Sequence, residues 1–243
     1  MYDLPGYIWA AVLVGVIGMP AATSVALYRG AIRAGLGRRR AAGVAAAAAT
    51  LLAGWLVATS LIARDGAYNH SWPVPLLALV AGAVLIALLA ATRIPIVSRV
   101  LAAPDTVVWL TVLQTFRIVG AASLAAAAVS PLSLLFAVPA GLGDTATGVA
   151  APFVARRLAR GNGRRATIWF NVFGLADLVV AVIAATLARR LMGDQSIEPL
   201  RLLPLVLVPT FGVPLAMAMH IISLGRLLPR RARAREAALQ AQA

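Results

Sequence analysis

Arg117, Asp144 and Asp177 sit near the centres of three successive apolar stretches, in a chain that is 61% hydrophobic and only 12% charged. At the centre of a membrane-spanning helix each such charge costs roughly 2.5–3.5 kcal/mol unless it is paired or faces a cavity. Three of them at matching depth point to a site inside the membrane. The arginine is suited to be an anion or counter-ion partner, and the carboxyls are groups that hold and release a proton. One arginine cannot neutralise two carboxylates. Either one aspartate is protonated, or a cation or His220 supplies the missing charge. A neutral carboxyl beside an ion pair is what a proton-coupled site or a general acid needs.

Helical spacing adds a second polar layer. Gln114 lies three residues before Arg117 on the same face, which Gly120 and Ala121 continue. Asn171, Gly174 and Asp177 step by three, and Ala216, His220 and Ser223 share a face. Gln114, Asn171 and His220 therefore form a layer displaced from the midplane toward the cytoplasmic side. Asp144 follows Pro139-Ala140-Gly141-Leu142-Gly143 and precedes Thr147 and Gly148, so it lies on a face of small residues. Pro139, Gly141 and Gly143 predict a break in that helix at mid-depth, as in the discontinuous helices of transporters. The structural alternative is that Arg117 pairs with one aspartate only to fix helix packing, since polar residues act as glue between helices in lipid.

These residues must be carried by spans. Seven apolar stretches cover roughly 6–28, 41–63, 74–92, 106–129, 134–155, 166–187 and 202–225. Most are long enough for a hydrocarbon core of about 30 Å at about 1.5 Å per helical residue. Helices are required because a lipid-exposed backbone must satisfy its own hydrogen bonds, and no barrel-like alternation is visible. The fold expected is an all-α, seven-helix transmembrane bundle. Of 22 arginines, 17 fall in connections 1–2, 3–4 and 5–6 and in the C-terminal tail, against 4 on the opposite side. That imbalance puts the N-terminus outside and the C-terminus in the cytoplasm. The first stretch does not read as a signal peptide, because its short leader carries Asp3 and no basic residue.

Composition removes several functions. The net charge of +14 is mostly this inside-facing arginine excess, which suits anionic headgroups on the cytoplasmic side; nucleic acid is not an expected partner. There is no cysteine, so disulfides and thiol chemistry are excluded, and no lysine to hold a Schiff-base chromophore. His70 belongs to the outer loop, opposite His220, so the two do not ligate one haem or metal, and no metal site is expected. The residues identify no cofactor. The Ala/Arg bias suggests a GC-rich bacterial genome and hence the inner membrane.

The chain divides into residues 1–103, three spans with almost nothing polar at depth; residues 104–228, four spans with the polar site; and a basic cytoplasmic tail, 229–243. In the first part, Gly54 and Gly82 are expected to let helices approach closely. In the second, Phe116-Arg117-x-x-Gly120-x-x-Ser123-Leu124 matches Phe170-Asn171-x-x-Gly174-x-x-Asp177-Leu178, which reads either as a parallel repeat of a helical hairpin, with a site at the repeat interface, or as chance similarity among low-complexity apolar helices.

Phe116-Arg117-x-x-Gly120, Phe136-Ala137-x-Pro139-Ala140-Gly141-x-Gly143-Asp144 and Pro209-Thr210-Phe211-x-x-Pro214 resemble a set of bacterial multi-pass hypothetical membrane proteins over about the last 120 residues. That resemblance implies no activity. The residues themselves favour binding or translocation of a proton or a small polar or anionic solute by Arg117, Asp144, Asp177, Gln114, Asn171 and His220. Two alternatives are a metal-independent intramembrane enzyme acting on a lipid or isoprenoid, and an accessory subunit of a membrane complex. Beyond the bilayer and the small ligand, a second copy or a membrane-complex partner is compatible with such a bundle.

Overall fold

The computed structural model describes residues 4–69 and 76–228; His70, the beginning of the third stretch at 74 and the tail 229–243 lie outside the described residues. Among the described residues there are helices and turns and no strand. The helices are α1 (Gly6–Arg33), α2 (Gly37–Arg64), α3 (Leu76–Ala91), α4 (Pro95–Leu101), α5 (Thr106–Leu113), α6 (Ala121–Val129), α7 (Leu134–Ala159), α8 (Arg164–Met192) and α9 (Val213–Leu227). A 3-10 segment, Gln114–Gly120, joins α5 to α6 in a single span, and a π-helical turn, Val208–Gly212, leads into α9. With α1, α2, α7 and α8 these make six helices long and apolar enough to cross a membrane. The pair α3 and α4, bent by 84°, makes a seventh if it is one broken span.

The helix breaks do not fall where the prolines and glycines of the fifth stretch predict. α7 runs unbroken through Pro139 and Pro152. Ser133 caps its start by accepting from the Leu135 N–H at 3.1 Å, and Pro139 follows closely enough that it releases only one carbonyl near the helix start. Gly141 and Gly143 serve close approach instead. A Cβ on Gly141 would strike Leu124 and Ser123, and one on Gly143 would overlap the Asp177 carboxyl.

The irregular windings occur on either side of α7. In a 3-10 helix residues i and i+3 eclipse, so the tightened segment stacks Gln114, Arg117 and Gly120 in one row. In the last span, Pro214 lacks the N–H that would close a helical bond to the Thr210 carbonyl. The indole Nε1 of Trp55 on α2 donates to that carbonyl at 3.0 Å.

The core lies between α1 (Ile8, Val12, Val16, Met19), α5 (Leu110, Leu113), α8 (Leu178) and the last span (Phe211, Leu215, Met219). α2 enters it only at Ala63, and α3 lies against it through partly buried Leu76, Leu77, Val80 and Leu88. Gly54 and Gly82 have nothing within 4 Å of where a Cβ would be, so they are not the close-approach points expected of them. Large apolar side chains such as Leu51, Leu61, Ile86, Phe153, Trp169 and Leu191 are exposed on several helices. So much exposed apolar surface belongs against lipid rather than water.

Candidate functional site

Arg117 projects from the 3-10 row into the space between α7, α8 and α9, and its side chain is 4% exposed. Its Nε donates to Asp144 Oδ1 of α7 at 2.6 Å, and its Nη2 donates to Asp177 Oδ2 of α8. Nη1 donates to the Gly174 carbonyl at 3.1 Å and meets His220 Nε2 of α9 at 3.0 Å. Four of its five N–H groups are thus engaged, two of them by carboxylates. The expectation that these three charges meet is realised.

A guanidinium can only donate, so His220 Nε2 is the accepting nitrogen. Its Nδ1 then carries the proton and donates to Asn171 Oδ1 at 2.9 Å, and Asn171 Nδ2 donates to the Thr167 carbonyl at 2.7 Å. The direction of every bond in this chain is fixed by the arginine. His220 consequently does not supply the second positive charge, which removes one of the three ways to balance the two aspartates.

Close packing brings the charges together. A Cβ on Gly120 would collide with the Asp144 side chain, and one on Gly174 would lie 2.5 Å from the His220 ring and 3.0 Å from Arg117 Nη1. A Cβ on Gly148 would press on the backbone of Ile118. Four glycines, Gly120, Gly143, Gly148 and Gly174, therefore set the helix separations at which one arginine reaches two carboxylates. The two matched segments make parallel contacts. Gly120 abuts Asp144 of the following span as Gly174 abuts His220, and Arg117 bonds Asp144 as Asn171 bonds His220.

A cleft of about 60 Å³ reaches this cluster. Arg117, Gly120 and Asp144 form its polar end, and Val12, Val16, Met19, Phe116, Leu178 and Val213 are among its apolar walls. Asp144 lines it while Asp177 does not, and the Asp144 side chain is the more exposed of the two, at 16% against 8%. The site's walls are thus not confined to the last four spans, since α1 supplies one. The available signal was Gly15 and Gly18, where a Cβ would strike Val119 and Phe116.

Below the cluster, Gln114 Nε2 donates to the Ala216 carbonyl at 3.2 Å, but its Oε1 is buried without a hydrogen-bond partner, as are Thr147 Oγ1 and Ser223 Oγ. Among the described residues no group of three or more His, Cys, Asp or Glu side chains is arranged to hold a metal ion.

No curated protein and no solved structure matches the chain. The resemblance to multi-pass proteins of the last 120 residues is matched by a family model that reaches further toward the N-terminus. That model, described as a domain of unknown function (DUF8737), covers residues 74–228, which is more than half of the chain and contains Arg117, Asp144, Asp177 and His220, and the chain belongs to this family.

Proposed function

We propose that this protein is a seven-span bacterial inner-membrane protein, N-terminus outside and C-terminus in the cytoplasm, that binds or translocates a proton at the Arg117–Asp144–Asp177 cluster. The seven-crossing reading draws support from the two ends of the bundle. At one end Tyr68 is bonded to Thr59 and Ser133 N–H to the Ser196 carbonyl. At the other, Val100 of α4 packs with Ala31 and Ala41, and Arg164 bonds the Leu227 carbonyl. An α3 that runs from the first end to the second supports a crossing, although it holds only 16 residues. The second end carries the arginine excess, which assigns it to the cytoplasm. The division at residue 103 is kept, with α1 counted as a wall of the site.

The observation that carries the reading is one guanidinium shared by two carboxylates, with His220 as an acceptor. Two ionised carboxylates would leave an uncompensated negative charge among apolar helices, which is costly. A proton on one of them balances the site. An anionic solute fits less well, because the arginine donors are already directed at Asp144, Asp177, His220 and Gly174. The cleft supports a second reading. An alkyl or isoprenoid chain lying along Val12, Val16 and Met19 would bring its polar end to Asp144, placed to act as a general acid.

The test is proton flux into liposomes containing the purified protein, with a pH-sensitive dye inside and a pH step outside. The parent protein is expected to carry protons, and Asp144→Asn and Asp177→Asn to fold yet lose the flux. Undiminished flux in both variants contradicts the proposal.

A further inference from the structure

Three polar atoms on three different elements share an unusual state, being buried with no protein partner: Gln114 Oε1, Thr147 Oγ1 and Ser223 Oγ. Each residue lies one turn from a member of the cluster on the same helical face. Gln114 precedes Arg117 by three, Thr147 follows Asp144 by three, and Ser223 follows His220 by three. The direction of each span puts all three on the arginine-rich side of the cluster. Each residue is only 1% exposed, so bulk solvent does not reach them directly.

The two hydroxyls had a simple alternative. Thr111, Thr167 and Thr210 are buried as deeply on helices, and each turns its hydroxyl back to the carbonyl four residues earlier at 2.7–2.9 Å. Thr147 and Ser223 do not. Leaving a buried hydroxyl unsatisfied costs about 1–3 kcal/mol, so a partner outside the polypeptide is called for. Water is the partner of the right size and chemistry, because buried water is found where two or more protein polar groups converge. On the opposite side of the cluster, beyond the polar end at Arg117 and Asp144, the cleft is walled by Val12, Val16, Met19, Phe116 and Val213, which offer water no hydrogen-bond partners.

We propose that Gln114, Thr147 and Ser223 form a hydrated relay that connects the Arg117–Asp144–Asp177 cluster to the cytoplasmic end, so that in this conformation the cluster exchanges its proton with the cytoplasm and not through the apolar cleft. This rests on the proton-binding reading above and adds the side of access. A relay water donates to the carboxylate oxygen that takes the proton and accepts one from the next water toward Ser223; the carboxyl O–H forms as the water O–H breaks, and release runs the same steps in reverse.

The experiment follows the infrared C=O band of the protonated carboxyl in lipid-reconstituted full-length protein after a switch to D2O. Thr147→Val combined with Ser223→Ala is expected to slow deuteration of the band by roughly tenfold or more. Thr147→Ser, which keeps the hydroxyl, is expected to exchange at the parent rate, as is Met19→Leu in the cleft. The same rate in the double variant as in the parent overturns the relay, as does equal slowing by Met19→Leu. If the parent has no such band at neutral pH, the proton-binding reading fails, and the relay with it. A band that is present but unaffected by the substitutions defeats the relay alone.

Discussion

α2 and α9 are both apolar helices, yet they use their residues in opposite ways. α2 is 28 residues long and buries only Ala41, Thr59 and Ala63; α9 buries eight of its fifteen, among them His220 and Ser223. The two regions differ in their glycines as well. Gly54 of α2 and Gly82 of α3 face open space, while Gly120, Gly143, Gly148 and Gly174 are each pressed against a neighbour. Hydropathy alone therefore says that a helix belongs in the membrane. Small residues beside polar ones say which helix faces the protein. α2 joins the bundle through few polar contacts, such as the bond from Trp55 to the carbonyl that Pro214 leaves free.

The largest predicted contrast concerns charge. Arg117→Leu leaves Asp144 and Asp177 without their partner and is expected to cost roughly 3–5 kcal/mol of unfolding free energy in detergent or bicelles. Leu51→Ala on the outer face of α2 is expected to stay within about 0.5 kcal/mol of the parent. A small effect of Arg117→Leu would mean that the cluster does not hold the bundle together.

The glycines give a contrast of opposite sign. Gly174→Ala pushes on His220 and Arg117 and is expected to destabilise by about 1–3 kcal/mol. Gly54→Ala meets nothing and raises helix propensity, with an expected gain of up to ~1 kcal/mol. The same unfolding assay reads both. Equal effects would remove the distinction between the two regions.

Much of this distinction is legible in the sequence, and what is not has identifiable causes. The depth of Arg117, Asp144 and Asp177 predicts their meeting, because an unpaired charge at that depth is too costly. Spacing by three predicts the row of Gln114, Arg117 and Gly120. The 3-10 winding that aligns the row is invisible, since Gln114 to Val119 contains neither proline nor glycine to mark it. The expected break in α7 fails for the opposite reason. Pro139 is a strong local signal, but so near the start of the helix it removes only one bond. α1 carries no ionisable group at depth, so its place in the cleft is marked only by Gly15 and Gly18. The pairing of His220 with Asn171 links two spans 49 residues apart in sequence, a distance at which spacing has no force.

The smallest predicted effect lies at the end of the bundle away from the arginine-rich one, where the Asp194 side chain is 52% exposed. The hydrogen bond from Arg189, 2.5 Å long, together with the charges of Arg189 and Arg201, lowers its carboxyl below the ordinary value of 3.8. A group depressed on folding adds stability above its unfolded value and loses it as pH falls through the folded value. Asp194→Asn is therefore expected to flatten slightly the loss of stability in acid below about pH 4, measured by thermal unfolding across pH. An identical acid limb in the variant would show that the exposed pair contributes nothing measurable.

The most direct test of the account counts the protons held by the cluster, through the infrared band of protonated carboxyl at neutral pH in reconstituted protein. One guanidinium facing two carboxylates predicts one such band in the parent. Asp144→Asn and Asp177→Asn should each abolish it, because the remaining carboxylate then has Arg117 to itself, and Arg117→Gln should enlarge it. A parent without the band, or a band that survives both asparagine variants, would contradict the claim that this cluster holds an exchangeable proton.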